Sequence, residues 1–515
     1  MGSSDAAAAP EAGDSAIQAA LEQARLNPSD HRAYQQLSAA YAKQHQADLA
    51  LAAALQAIAL EPKDPKAYLQ AAAVYREWNQ PQTSKELLLR CIEHCPSSHN
   101  AHLMLASTYR DLHDLDEFEA SIERCLALEP GSPAALIELA VLERNKGNRQ
   151  RCKDLLSQAR AADGQLIRAL VGQTADLQSD QEAREILDAI DELISRSPDH
   201  KQHENLNYAR FECLHRLGDV KQAASALQQA NQAKLRRLPS NKTAMLARIH
   251  AGTTTPSGVA PQASANCQHV FIVGMPRSGS TLLASILSMR QGSVDLGEPD
   301  AMGQAIAQLG QQASDADASS DGNPLALDVL YRAQLETRPL LEGASEAAIT
   351  IDKSLYNFLH CNVILDLIPN AKVIHSRRNP LDNILSMLRA RLVAPHNYCA
   401  DAIDAAEVII AQEEAMLGFK ERYGARIFTN NYEELTHQPE HHIQQLTQWL
   451  GWPWDGRYLT HHSKKRLIFN ASAVQARNPI HGRSVQGWRR YAELLEPARQ
   501  RLISSGLFDS AALAA

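Results

Sequence analysis

The chain has 515 residues, 44% of them apolar and 21% charged, which is enough to bury large cores and rules out disorder along its whole length. Its 51 Lys and Arg against 59 Asp and Glu leave a net charge of −8, so it is not built to wrap nucleic acid, and an anionic ligand must be met by a local basic site. Aromatic residues at 5% and a first half rich in Ala, Leu and Gln favour helices over β-sandwiches. No run of about 18 apolar residues occurs, so no membrane span is expected. The opening residues have neither a basic nor an apolar leader region. Eight scattered cysteines without a CxxC pair point to a reducing setting, and a cytoplasmic location is expected.

The first half repeats. Pro28, Pro62, Pro96 and Pro130 recur every 34 residues, as do Ala33, Ala67, Ala101 and Ala135, and Tyr41, Tyr75 and Tyr109. Small residues fall where paired helices approach closely: Ser38, Ala72, Ala106 and Ala140, then Ala57, Cys91, Cys125 and Ala159. Each proline lies after a second helix, where a residue without an N–H stops it. The pattern resembles the tetratricopeptide repeat, a helical hairpin of about 34 residues. It is strong over residues 15–163 and returns near 205–237, where Tyr208, Ala209, Leu214, Gly218 and Ala223 fit one more hairpin. Residues 164–203 read as divergent hairpins. A stacked array of this kind leaves a concave groove suited to a peptide or partner, with a spacer or oligomerisation role as the alternative.

The composition turns to Thr, Ser, Pro and Gly at 251–268, a linker. His269–Val273 then reads as a buried strand, followed by Gly274-Met-Pro-Arg-Ser-Gly279-Ser-Thr281 and a helical run from Leu282. Strand, glycine-bounded loop and helix is the layout of a phosphate-binding loop, in which backbone N–H groups face an anion. The nucleotide-hydrolysing version requires Lys where Ser280 stands, and Arg277 inside the loop supplies the cation instead. The segment 311–321 is small, polar and acidic, a surface loop or a lid over the acceptor. A second strand–turn–helix runs from Ala371, with Arg377 and Arg378 at the strand end and Ser386 on the helix. Two strand ends bearing Arg and Ser suggest one ligand with two separated anionic groups.

Together, Pro276-Arg-Ser-Gly-Ser-Thr-Leu282 and the Arg378/Ser386 pair resemble a sulfotransferase, nearest to the bacterial branch that carries N-terminal tetratricopeptide repeats and is related to tyrosylprotein sulfotransferases. The resemblance spans about 269–507. It implies 3′-phosphoadenosine 5′-phosphosulfate (PAPS) as cosubstrate and adenosine 3′,5′-bisphosphate as product. It places Arg277, Ser278, Gly279, Ser280 and Thr281 at the 5′ end, Arg378 and Ser386 at the 3′ end, and Tyr432 near the adenosine. It gives Glu298 as catalytic base and Lys353, Arg277 and Ser472 as groups stabilising the leaving oxygen. The segments Ser472–Gln475 and Ser484–Trp488 resemble the loop that closes over the cofactor. The slot of the family's second Arg after the helix Ser holds Ala390, between Arg389 and Arg391.

The expected architecture is therefore α plus α/β: a helical repeat solenoid over 15–250, a linker over 251–268, and a P-loop-like α/β domain with a mostly parallel sheet over 269–515. The expected reaction is sulfuryl transfer from PAPS to an acceptor hydroxyl, with the repeats presenting a protein or peptide acceptor. Peptide tyrosine, glycan and small molecule stay open as acceptors, and so does homo-oligomerisation. No metal-ligand cluster is visible, so no metal is expected. The rivals are a P-loop kinase or NTPase, and a non-catalytic repeat scaffold.

Overall fold

The computed structural model describes residues 8–514 apart from positions 45, 79, 113 and 512 and the segments 162–165, 197–199, 255–266, 317–325, 337–347, 393–394 and 464–478. The chain forms two compact units. The first comprises residues 1–143 and 149–169, and the second residues 144–148 and 170–515.

The first unit is built of antiparallel helical hairpins: α1 (Ala8–Leu26), α2 (His31–Lys43), α3 (Ala47–Leu60), α4 (Pro65–Glu77), α5 (Pro81–His94), α6 (His99–Asp111), α7 (Leu115–Leu128), α8 (Pro133–Lys146) and α9 (Arg149–Arg160), with residues 144–148 counted in the second unit. The 34-residue period is visible in the caps. Asp30, Asp64 and Ser98 precede α2, α4 and α6, and each side chain accepts a backbone N–H of the first turn. Ala33, Ala67, Ala101 and Ala135 are buried, as are Ser38, Ala72, Ala106 and Ala140 and the set Ala57, Cys91, Cys125 and Ala159. A larger side chain at any of them would push adjacent helices apart. The four prolines each stand two residues beyond a helix end, at α1, α3, α5 and α7.

The second unit contains α11 (Asp180–Arg196), α12 (His200–Leu217), α13 (Val220–Arg237) and α14 (Lys242–Thr254), followed by an α/β domain. Repeat register assigns α12 and α13 to the solenoid, but their packing joins them to the α/β domain. Phe211, Leu214 and Leu227 share one core with Phe271, Val273 and Leu385. Asn231 on α13 donates to the Leu388 carbonyl at 3.2 Å and accepts from Tyr208 at 2.8 Å. Of the expected linker, 251–254 complete α14, 255–266 lie outside the described residues, and Gln268 already belongs to the first strand.

The sheet has five parallel strands in the order β2 (Ser293–Gly297), β3 (Ile349–Asp352), β1 (Gln268–Gly274), β4 (Ala371–Arg377) and β5 (Ile427–Asn431). Val270 and Ile272, on one face of β1, pack in a core with Ile351 and Ile374, while Phe271 and Val273 face the core shared with α12. A strand buried on both faces reads as a continuous apolar run, which is why His269–Val273 carries no alternation. β1 is followed by α15 (Ser280–Leu287) and β4 by α19 (Pro380–Arg389). The chain leaves β1 towards one edge and β4 towards the other. Such a switch point opens a crevice at the carboxyl ends of the two strands. The 311–316 part of the acidic segment continues helix α16 (Ala301–Ala316), as its Gln and Ala content permits, and 317–321 lies outside the described residues.

Candidate active site

The loop after β1 is shaped by its backbone. Gly274 has φ 144°, and a Cβ there would meet the Ser376 carbonyl at 2.5 Å. Arg277, unusually for a non-glycine, has φ 69°. Gly279 (φ 95°) precedes α15, and a Cβ there would meet the Tyr432 ring at 2.4 Å. Ser278 is buried, and its Oγ has no hydrogen-bond partner among the described residues. Ser280 and Thr281 open α15, where N–H groups and the helix dipole favour an anion.

The second station lies beside it. Asn379 caps α19, its side chain accepting from Leu381 and Asp382 N–H. Arg277 Nε donates to Ser386 Oγ at 3.0 Å, tying the first loop to the second helix. Arg378 donates to the Arg277 carbonyl at 3.3 Å and to the Ser484 carbonyl at 2.8 Å, and its guanidinium lies 4.9 Å over the Tyr432 ring. Arg378 Nε is buried without a hydrogen-bond partner among the described residues. Arg377, by contrast, faces away to pair with Glu413 at 3.1 Å. Tyr432 starts α21 (Tyr432–His437) directly after β5, and its hydroxyl lies 3.1 Å from Ser484 Oγ. The segment 484–488 is fastened by Asp382, whose carboxylate accepts the Gln486 and Trp488 N–H at 2.6 and 2.9 Å. Arg490 rather than Arg489 reaches the resulting cleft, since Arg489 is directed to the Ala514 carbonyl.

These groups line one cavity of about 570 Å³ that includes Arg277, Gly279, Thr281, Arg378, Ser386 and Tyr432. Burial pushes the Arg277 guanidinium down to about 10, helped by the nearby charges of Arg378 and Arg389, so it stays a cation at neutral pH. Cations crowded together in a half-buried cleft raise one another's energy, and a bound anion relieves this.

Glu298 and Lys353 stand at the ends of the neighbouring strands β2 and β3. Lys353 is buried and donates to the Glu298 carboxylate, which remains more than half exposed. The Lys353 backbone N–H donates to the Gly297 carbonyl at 2.8 Å. Neither residue lines the cavity itself. Asp295, the other acid on β2, accepts the Gly297 N–H at 2.9 Å. Ser472 and the segment 472–475 lie outside the described residues.

The sequence reading missed the opposite wall. Tyr208, Glu212 and His215 of α12 line the same cavity, together with Arg389 of α19. Their positions on α12 carry the repeat pattern of a solenoid hairpin, which gave no sign of a ligand.

Residues 269–456 match the model of the sulfotransferase family, and residues 99–132 match a tetratricopeptide repeat. Over 269–456 this chain is therefore similar to the sulfotransferase family. An uncharacterised protein of Aquifex aeolicus (strain VF5) is 30% identical over 239 residues, 44% of this chain. The match covers 31% of that relative, so this chain spans about a third of its length. Among solved structures, the sulfotransferase domain of the Synechococcus PCC 7002 olefin synthase is 22% identical, with 50% of this chain and 98% of that one covered and a TM-score of 0.34. The sulfotransferase domain from the curacin biosynthetic pathway is 20% identical, with 48% and 99% covered and the same score. No helix among the described residues is long and apolar enough to cross a membrane.

Proposed function

We propose that this protein transfers a sulfuryl group from PAPS to an acceptor hydroxyl. The observation that carries the reading is the Arg277–Ser386 bond with Arg378 beside it, which sets two anion-binding stations on one cavity at the β1/β4 switch point. The Arg277 loop, from Ser278 to Thr281, takes the 5′-phosphosulfate, and Arg378 with Ser386 takes the 3′-phosphate. Tyr432, stacked under Arg378, lies beside the adenosine. Sulfuryl transfer resembles phosphoryl transfer in that an in-line displacement loads charge on the equatorial and leaving oxygens. Arg277 and Lys353 supply cations for that charge, with Ser472 as a further donor. Glu298 takes the acceptor's proton, and its contact with Lys353 keeps base and cation together at adjoining strand ends.

A macromolecular acceptor, peptide tyrosine among the candidates, suits a chain whose first unit is a tetratricopeptide array. The test is an acceptor screen with 35S-labelled PAPS, run on the wild type and on Glu298→Gln. Label transferred by the wild type and lost in the variant supports the reading. A protein that binds and hydrolyses ATP instead would return the loop to the nucleotide-hydrolysing class.

A further inference from the structure

We infer that helix α12, which lies outside the residues matched by the family model, is a wall of the donor cleft, and that Glu212 is a positioning residue holding Arg389 for the 3′-phosphate. The inference rests on the donor reading above.

Arg389 lies one helical turn beyond Ser386, on the same face of α19, and both line the cavity. Glu212 on α12 grips it in a two-bond fork, Arg389 Nε to Oε1 at 3.3 Å and Nη2 to Oε2 at 2.8 Å. Both bonds leave from one edge of the guanidinium, so the Nη1 end takes no protein acceptor among the described residues. Phe211, one residue earlier on α12, stacks under the same guanidinium at 4.9 Å. Phe211 is in turn braced by His215 at 5.5 Å, and His215 is bound to the Tyr491 hydroxyl at 2.6 Å. One helix turn thus fixes the plane and rotation of Arg389 through a ring below and a carboxylate at its side.

Arg391, two residues beyond the end of α19 and at φ 50°, is used differently, bonding Asn205 at 2.5 Å and lying over Tyr208. Arg389 is therefore a further guanidinium beside Arg378 for a dianionic group, set apart from the cleft's Arg490 by its place one turn from Ser386 on α19. A planar fork held in advance loses little freedom when it binds phosphate. Glu212 costs the site some positive potential, and the titration below reads whether the orientation it imposes outweighs that loss.

The test is calorimetric titration of the full chain with adenosine 3′,5′-bisphosphate and with adenosine 5′-monophosphate, which lacks the 3′ group. The ratio of the two affinities reports 3′-phosphate recognition, and the monophosphate serves as an internal check of folding. In Glu212→Gln the ratio is expected to fall about tenfold or more, as for loss of one charged hydrogen bond. Arg389→Ala is expected to lose as much, and the double variant no more than Arg389→Ala alone. A ratio that is unchanged or higher in Glu212→Gln, as charge removal alone would give, overturns the inference. Arg389→Lys keeps the charge without the fork, and full retention of the ratio in it also overturns the inference. Were the wild type to show no preference for the bisphosphate, the donor reading would fall and this inference with it. A wild-type preference that the variants leave intact sinks this inference alone.

Discussion

Arg277 Nε donates to Ser386 Oγ across 3.0 Å, joining the loop after β1 to the helix after β4. That bond makes the two proposed anion stations interdependent, because Arg277 also offers its carbonyl to Arg378. Either arginine, once lost, disturbs the place of the other.

The first prediction follows from this coupling. Bisphosphate at 100 times its Kd is expected to stabilise the wild type by about 2.7 kcal/mol. Arg277→Ala and Arg378→Ala should each remove most of that shift, and in binding free energies taken from the Kd of each variant the double variant should fall short of the sum of the singles. Thermal unfolding with and without the nucleotide measures it. Additive losses would show that the two stations bind independently.

The second concerns the base. An acceptor hydroxyl has a pKa of about 10 if phenolic and needs a proton acceptor as it attacks. Glu298→Ala is expected to lose about 10²–10⁴ in turnover while binding bisphosphate normally. Glu298 is not among the residues that line the proposed nucleotide cavity, so binding and turnover should separate cleanly. Near wild-type turnover at saturating acceptor would shift the role to Asp295 or to the acceptor itself.

How far the sequence carried this account depends on the range of each signal. The solenoid was legible because a 34-residue period repeats local choices: a cap at Asp30, Asp64 and Ser98, and a small residue at each close approach. The strand-end arginines were legible because β1 and β4 bring their own loops with them. The role of α12 was not, since Glu212 and Arg389 are 177 residues apart and meet only through packing. Repeat register also grouped α12 and α13 with the solenoid, while their apolar faces are spent on the α/β core.

A third prediction comes from that regrouping. Deleting residues 1–169 should leave bisphosphate binding within about a few-fold of the full chain, because the cleft-lining residues all lie beyond that point. Deleting 1–250 should abolish it, since α12 goes with the array and the exposed core would destabilise what remains. Equal binding by both truncations would contradict the assignment of α12 to the cleft.

The fourth prediction concerns pH. Burial, followed by the charges of Arg389 and Arg490, pushes His215 down to about 3. An unfolded histidine titrates near 6.5. Between those values the unfolded chain binds a proton that the folded chain refuses, so stability falls as pH drops from about 6.5 towards 3. His215→Phe retains the ring and should flatten that slope in denaturation measured at pH 7 and pH 4.5. An unaltered slope would mean that His215 does not carry it.

A fifth tests the close approach at the loop. Gly279→Ala must place a Cβ against the Tyr432 ring at a φ of 95°, with a cost of roughly 1–3 kcal/mol in stability. Tyr432 would also be displaced from beneath Arg378, so bisphosphate affinity should fall with stability. Urea denaturation and titration of the same sample read both, and a stable variant with full affinity would show that the loop yields.

The cavity between the Arg277 loop and Ser386 is proposed to take a nucleotide with separate 5′ and 3′ anionic groups. Calorimetric titration of the full chain with adenosine 3′,5′-bisphosphate, and separately with ATP, tests it most directly. Saturable binding of one bisphosphate per chain is expected, with none of ATP at the same concentrations. Binding of ATP without binding of the bisphosphate would contradict it.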